Sequence, residues 1–173
     1  TGMIYASLRT VPQWHQPLTA PIYIVLGLAS GAVLLNLGLH VLGRSGARSI
    51  WLALACLGLG LVLKVAYWKA IDGTGKQHTV EAATGLGQFG KVRVLEGAHA
   101  QPNFVMREMG YRIARAHSLT LRKWIIWCGF VLPVAPTLAS LIPSRFVGVA
   151  AALLTVAASA VGIVLERWLF FAE

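Results

Sequence analysis

Four long runs of apolar residues dominate the pattern of hydrophobic and polar positions along this chain. They cover about residues 21–42, 50–71, 124–142 and 147–171. A helix needs about 20 apolar residues to cross a bilayer core about 30 Å thick, and runs of this length without period-two alternation are not strands. The pattern therefore predicts four transmembrane helices. The third contains Pro133 and Pro136, which predict a kink.

The segments between these runs differ in length and polarity. Two are short turns, which predict two antiparallel helical hairpins, and the third is a long polar loop over residues 72–123. Apolar residues recur at helical spacing from Val105 to Ala116 in this loop, which predicts an amphipathic helix on the membrane surface or beneath a partner. Residues 1–8 have the pattern of the end of a helix. The fold class predicted is an all-α integral membrane bundle with four full transmembrane helices, an N-terminal helix remnant and one long polar loop. We expect a single transmembrane domain over residues 1–173, belonging to a longer protein.

The composition is that of a membrane chain. Hydrophobic residues make up 57% of the chain and charged residues 12%, and the mean hydropathy is +0.68. A soluble domain carries roughly a quarter charged residues, so this chain has too little charge to coat a surface that faces water. The composition thus argues against a disordered chain, a disulfide scaffold and an ordinary soluble enzyme.

The net charge of +9 is explained by membrane topology. Lys and Arg flank the apolar runs instead of lining a soluble face rich in aromatics, so we expect no nucleic-acid partner. Most of them lie on the side of the long loop, and this excess predicts that the loop is cytoplasmic. A loop docked on a partner outside the cell is the alternative. Four basic residues of the loop are candidates for docking a partner: Arg93, Arg107, Arg112 and Arg115.

Two ionisable residues lie inside the apolar runs. Lys64 is about seven residues from the loop-side end of the second run, and Glu166 is about five residues from the same side in the fourth. At a rise of about 1.5 Å per residue their depths agree within a few ångströms, and an ionisable group inside a membrane is expected to have a partner. A contact between Lys64 and Glu166 is one hypothesis. The alternative is that Lys64 extends to the interface and Glu166 pairs with its neighbour Arg167.

One face of the fourth run carries small residues at the spacing of a helix–helix contact. These residues are Gly148, Ala152, Thr155, Ser159 and Gly162. Small residues let two helices approach closely in lipid. We therefore interpret the stripe as a seam in a compact bundle, not as a pore.

The histidines offer polar chemistry at two levels of the membrane. His40 lies near the far end of the first run, and no second histidine lies deep in another run, which argues against haem b held between two histidines. We expect His40 to cap carbonyl groups at the interface. His15 and His78 lie on the loop side, where they could hydrogen-bond a quinone carbonyl or relay a proton. The alternative is that both are ordinary exposed histidines.

Aromatic residues concentrate on the loop side. They include Tyr67, Trp68, Trp124, Trp127, Trp168, Phe170 and Phe171, with Trp14 nearby. A belt at the membrane interface explains this pattern, and a face that holds a planar ligand or a docked subunit is the alternative. The chain has no nucleophile–base pair, carboxylate dyad or HExxH-like motif. We therefore expect no catalysis by this chain alone.

Four separated segments carry a family resemblance. They are residues 1–14 (TGMIYASLRTVPQW), 78–87 (HTVEAATGLG), 104–115 (FVMREMGYRIAR) and 166–173 (ERWLFFAE). In their order, and in their spacing relative to the apolar runs, they resemble the membrane-anchor subunit of the dimethyl sulfoxide reductase family. The similarity covers essentially the whole chain and is to the C-terminal part of that family.

The resemblance implies a multi-pass anchor in the bacterial inner (cytoplasmic) membrane without a redox centre of its own. Its expected partners are an iron–sulfur subunit, a molybdopterin catalytic subunit, the lipid bilayer and the quinone pool. Quinol is then the substrate that supplies electrons, and this chain binds no cofactor. No catalytic residue is carried over to a position of this sequence. Our candidates for quinol contacts or a proton path are His15, His78, Lys64 and Glu166.

Two other functions fit the same pattern. One is an electron-transfer anchor that contains haem b. The other is a small membrane transporter, which would turn polar groups towards a cavity at the midplane. Asn36 and the prolines of the third run offer slight support for a transporter, but the two hairpins share no evident repeat.

Overall fold

The computed structural model describes residues 1–44, 46–73, 79–93, 95 and 111–173. The helices in these ranges are α1 (Gly2–Ala6), α2 (Thr19–Val41), α3 (Ala47–Gly73), α4 (Val80–Thr84), α5 (Arg112–Ala116), α6 (Ser118–Ile126), α7 (Leu132–Ala139) and α8 (Arg145–Ala172). A 3-10 turn follows α4 at Leu86–Phe89, and a π-helical segment joins α6 to α7 at Trp127–Val131.

Among the described residues, four helical segments are long and apolar enough to cross a membrane. They are Thr19–Val41, Ala47–Gly73, Ser118–Ala139 and Arg145–Ala172. The prediction of an all-α membrane bundle with four spans is confirmed. The predicted amphipathic helix lies mostly outside the described residues, and only its last part, within α5, is seen.

The third span begins at Ser118, six residues before the predicted start at 124. A hydropathy pattern places the start of a span at its first apolar residues. Here the polar residues before them continue the helix, because the guanidinium of Arg122 pairs with the carboxylates of Asp72 and Glu173. The long loop predicted over residues 72–123 therefore ends before Ser118.

Helix α8 holds the bundle together. It packs against α2 on one side and against the third span on the other, while α2 and α3 form an antiparallel hairpin. The core between these helices is apolar and includes Leu26, Val33, Leu57 and Phe130. The buried face of α8 contains every residue of the predicted small-residue stripe, so the interpretation of that stripe as a helix–helix seam agrees with the packing.

The prolines of the third span coincide with an irregular helix. The π-helical segment Trp127–Val131 ends just before Pro133. Proline has no N–H, so Pro133 cannot donate a hydrogen bond to the carbonyl four residues earlier, at Gly129. The third span also approaches α8 closely at this position, because a Cβ atom added at Gly162 would collide with backbone atoms of Gly129. Two facing glycines thus let the two backbones touch.

Replacing Gly162 with alanine should destabilise the bundle, because the added methyl group has no space beside Gly129. Overpacking of a tight contact costs about 1–3 kcal/mol. Thermal unfolding of the purified protein in detergent measures the effect. Gly27→Ala is the matched control, because a Cβ at Gly27 meets nothing within 4 Å. Equal unfolding temperatures for the two variants would contradict the close contact.

Candidate functional site

An ion pair between α3 and α8 lies inside the bundle. The Nζ of Lys64 lies 2.6 Å from Oε1 of Glu166 and donates a hydrogen bond to it. The Lys64 side chain is 0% exposed and the Glu166 side chain 1%. The contact between Lys64 and Glu166, which is the hypothesis drawn from their matching depths, is therefore present. Lys64 does not extend to the interface.

The second oxygen of Glu166 also has a partner. Oε2 accepts a hydrogen bond from Nε of Arg167 at 2.5 Å, and the Arg167 side chain is 25% exposed. The alternative pairing with Arg167 thus occurs together with the contact to Lys64, one oxygen for each. One carboxylate faces two cations, so Glu166 is the residue on which the charge balance of this site depends.

Aromatic rings surround both cations. The Nζ of Lys64 lies 4.6 Å from the ring centroid of Tyr67, and the guanidinium carbon of Arg167 lies 3.9 Å from that of Tyr23. Attraction between a cation and a ring face contributes about 0.5–2 kcal/mol, more where water is excluded. The rings therefore stabilise the excess positive charge while they keep water out.

The segment before α2 folds over this site. The indole N–H of Trp14 donates to the carbonyl of Phe170 at 2.9 Å, and the hydroxyl of Tyr67 donates to the carbonyl of Gln13 at 2.9 Å. The rings of Tyr5, Trp14 and Phe170 pack together with centroids 5.4 to 5.8 Å apart. This aromatic cluster closes the ion pair off from the loop side.

A groove runs along the loop side of the aromatic cluster. Its volume is about 540 Å³, and it is lined by Tyr5, Val11, Trp14, Tyr111, Arg115, Phe171 and Glu173. A neighbouring space of about 500 Å³ shares Val11, Arg115 and Glu173. We call the two together the loop-side groove. Ligand pockets for small molecules typically have about 300–1,000 Å³ and combine aromatic walls with a few polar groups.

Charged residues hold the loop-side groove in place. The Nε of Arg115 donates to the carbonyl of Ala172 at 2.9 Å, which ties α5 to the end of α8. Arg122 donates to Glu173 Oε1 at 2.8 Å and to Asp72 at 2.6 Å. The other oxygen of Glu173, Oε2, is buried and has no hydrogen-bond partner among the residues that the structure describes. The wall of the groove thus includes a carboxylate oxygen that no described residue uses as an acceptor.

The remaining predicted site residues have different surroundings. His15 is exposed, and its Nδ1 lies 2.6 Å from the carbonyl of Ala6 within the N-terminal segment. Arg93 and Arg112 are exposed on the loop side. His78 and Arg107 lie outside the described residues. The structure brings Lys64, Glu166 and Arg115 to one end of the bundle, and it places His15 on the surface of the same end.

The loop-side aromatic residues divide into two groups. Trp124 and Trp127 are 56% and 61% exposed, as a belt at the membrane interface requires. Tyr67, Trp68 and Phe170 are buried in the core instead.

Of the residues that line the groove, only Arg115 is among the site residues predicted from the sequence, and Tyr5 and Glu173 are two of those that were missed. No pattern of spacing identifies either of them. Tyr5 reaches the groove through the segment before α2 and Glu173 through the last turn of α8, and a contact between separate segments leaves no periodic signal in the sequence.

His40 is buried at the opposite end of the bundle. Its Nδ1 lies 2.8 Å from the carbonyl of Asn36 and its Nε2 lies 3.1 Å from that of Ser140. The expected contact with carbonyl groups occurs, but inside the bundle and not at the interface. The side-chain oxygen of Asn36 accepts a hydrogen bond from Ser49 at 2.9 Å. Asn36 therefore joins α2 to α3 instead of facing a midplane cavity.

The chain is similar to a protein from Allochromatium vinosum that is named as a subunit of sulfite dehydrogenase. The two sequences are 29% identical over 176 residues, which cover 100% of this chain and 52% of that protein. The chain thus spans about half the length of the curated relative that it matches. No family model matches the chain, and no solved structure matches it significantly.

Replacing one member of the ion pair should destabilise the protein, with Glu166→Gln more harmful than Lys64→Met. Loss of the carboxylate leaves both Lys64 and Arg167 without a counter-charge, whereas loss of Lys64 leaves Glu166 paired with Arg167. Removing one partner of a buried pair costs about 3–5 kcal/mol. Thermal unfolding in detergent measures both variants.

Lys69→Met is the control for this prediction, because Lys69 lies on the same helix and is exposed. Its unfolding temperature should equal that of the unmodified protein. If Lys64→Met were as harmful as Glu166→Gln, the shared role of the Glu166 carboxylate would be wrong.

Proposed function

We propose that this chain is part of the membrane-anchor subunit of a molybdoenzyme complex similar to dimethyl sulfoxide reductase. In this function it holds an iron–sulfur subunit and a molybdopterin catalytic subunit at the bacterial inner membrane and supports quinol oxidation. The observation that carries the proposal is the similarity of the whole chain to a named subunit of a dehydrogenase. The four apolar spans supply the anchor.

The loop-side groove is the quinol site in this proposal. A quinol headgroup is a flat ring with two hydroxyl groups, so it requires aromatic walls and a hydrogen-bond acceptor. Tyr5, Trp14 and Phe171 supply the walls, and the unpartnered Oε2 of Glu173 supplies the acceptor. The exposed apolar residues of the spans face lipid, from which the quinol tail enters.

The chemistry of the site follows from the groups that line it. Oxidation of a quinol to a quinone releases two electrons and two protons. The two electrons pass to the iron–sulfur subunit, while the carboxylate of Glu173 accepts the two hydroxyl protons one after the other and passes each to water on the loop side. Arg122 holds that carboxylate in position through its other oxygen. The buried Lys64–Glu166 pair lies behind the aromatic cluster and does not line this groove.

The exposed arginines of the loop side provide the docking surface. Arg93 and Arg112 are exposed, and Arg115 donates to the carbonyl of Ala172 at the end of α8. A partner with an acidic face would dock there, with its iron–sulfur cluster near the groove. Charged groups of this kind accelerate and orient association more than they raise affinity.

The name of the relative favours a second candidate function. A dehydrogenase removes electrons from its substrate, so in such a complex the electrons would flow towards the membrane and reduce a quinone. The same groove would then bind quinone and supply two protons for its reduction. The direction is measured by comparing sulfite-dependent quinone reduction with quinol-dependent reduction of the complex's acceptor.

Purification of the full-length protein in mild detergent should yield two further subunits that contain molybdenum and iron–sulfur clusters. A subunit that anchors its partners must keep them bound, so the complex should remain intact during isolation. Mass spectrometry identifies the subunits and elemental analysis measures the metals. Recovery of the protein with neither metal would overturn the anchor function.

Glu173→Gln in the isolated complex should lower quinone-linked turnover by about 10²-fold, since a positioned acid–base group contributes that much or more. Turnover of the catalytic subunit with an artificial redox dye, which replaces the quinone of the membrane, should stay unchanged. Asp72→Asn is the matched control, because Asp72 shares Arg122 with Glu173 but does not line the groove. An equal loss in both variants would show that Glu173 acts only by holding Arg122.

A further inference from the structure

A small cavity lies at the centre of the bundle, where α2, α3, the third span and α8 meet. Its volume is about 10 Å³, and each of these four helices contributes to its lining, with Ser30, Leu57, Gly129 and Ser159 as examples. A cavity with room for one water needs about 10–15 Å³ and polar groups that bind the water. The volume therefore admits a single water molecule, and the polar groups of the lining decide whether one binds.

The first polar group of the cavity is the hydroxyl of Ser159 on α8. Ser159 is 4% exposed, and its Oγ has no hydrogen-bond partner among the residues that the structure describes. Buried polar side chains nearly always have a partner, which is either protein or ordered water. The hydroxyl of Ser30, in the same lining, follows this rule and donates to the carbonyl of Gly27 at 2.9 Å. Ser159 thus lines the cavity with a hydroxyl that a bound water would satisfy.

The second polar group is backbone of the third span. Gly129 has no side chain, so its part of the lining is backbone. It belongs to the π-helical segment Trp127–Val131, and its carbonyl lacks the α-helical donor because Pro133 has no N–H. Helices in membranes tolerate proline where neighbouring side chains or ordered waters satisfy the carbonyl that the proline frees. A donor inside the cavity would meet this need.

The third polar group is the carboxylate of Glu166, which also belongs to the lining. One of its oxygens pairs with Lys64 and the other with Arg167. An ionised carboxylate has about four lone-pair sites, so it can accept a further hydrogen bond besides these two. The lining therefore combines two acceptors, the carboxylate and the carbonyl of Gly129, with a hydroxyl that can donate.

We propose that the cavity binds one structural water, which bridges Ser159, Glu166 and the backbone of Gly129. The water accepts a hydrogen bond from the hydroxyl of Ser159, and it donates one to the carboxylate of Glu166 and one to the carbonyl of Gly129. Buried waters typically make about three hydrogen bonds, and these three partners use both donors and one acceptor of the water. No proton is transferred, and no group changes its charge.

The bound water links the buried ion pair to the third span. This span is joined to α8 at the loop side by Arg122 and Glu173, and towards the far side by the hydroxyls of Thr137 and Thr155, which lie 3.2 Å apart. Between these two points the facing glycines make a steric contact. The water adds hydrogen bonds there, so it holds the irregular segment of the third span at the depth of the ion pair.

The sign of one stability change tests the bound water. A buried hydroxyl that has no partner at all is unfavourable, so without a bound water Ser159→Ala would raise the unfolding temperature. With the water, the same substitution removes one of its hydrogen bonds, and we expect the unfolding temperature to fall by about 2–4 °C. Thermal unfolding of the full-length protein in detergent, with the subunits that co-purify, measures the change.

Ser30→Ala is the matched control, because it removes a hydroxyl from the same cavity that already bonds to the carbonyl of Gly27 within α2. It should lower the unfolding temperature less than Ser159→Ala does. A rise or no change in Ser159→Ala, or an equal fall in both variants, would exclude the bound water.

A map of the complex from electron cryo-microscopy gives a direct measurement, at a resolution that shows other buried waters. We expect density within hydrogen-bond distance of both the hydroxyl of Ser159 and the carboxylate of Glu166. Buried waters elsewhere in the map but none at this position would refute the proposal. Neither measurement involves quinone or the loop-side groove, so a failure here would leave the proposed function standing.

Discussion

The structure depends on a single constraint, which is that the charges of Lys64 and Glu166 must be neutralised where water is absent. Moving an isolated charge out of water costs many kcal/mol, and a close partner offsets that cost only with good geometry. The partners come from different helices, so α3 and α8 are fixed at one depth and one rotation. Aromatic neighbours meet this constraint, because their rings exclude water and still attract the cations of Lys64 and Arg167.

The loop-side end of the bundle is tied together by a second set of charges. Arg122 joins the end of α3, at Asp72, to the end of α8, at Glu173, and Arg115 adds α5 to the same point. The pair with the exposed Asp72 contributes little stability by itself, whereas the pair between Arg122 and Glu173 is largely buried. Together these charges connect three elements around one groove and fix its walls, as the proposed site for a rigid, planar ligand requires.

Sequence patterns predicted the parts of this structure that repeat along a helix. Span number, the buried face of α8 and the common depth of Lys64 and Glu166 all follow from a fixed rise and a fixed turn per residue. The start of the third span could not be predicted in this way, because it depends on the ion pairs that Arg122 makes with Asp72 and Glu173. Glu173 could not be predicted either, because its role arises from the meeting of three separate segments. Aromatic residues on one side of the membrane fitted both a belt and a core, and only burial distinguishes Trp124 from Phe170.

The buried face of α8 combines two requirements that differ in kind. At Gly162 the requirement is steric, because any side chain would collide with the backbone of Gly129. At Ser159 the requirement is not steric, since alanine would fill nearly the same space. A hydroxyl without a partner is unfavourable in an apolar interior, and packing gives no reason to keep one there. The hydroxyl of Ser159, which has no hydrogen-bond partner among the described residues, is therefore better explained by a bound water beside Glu166 than by the contact between helices.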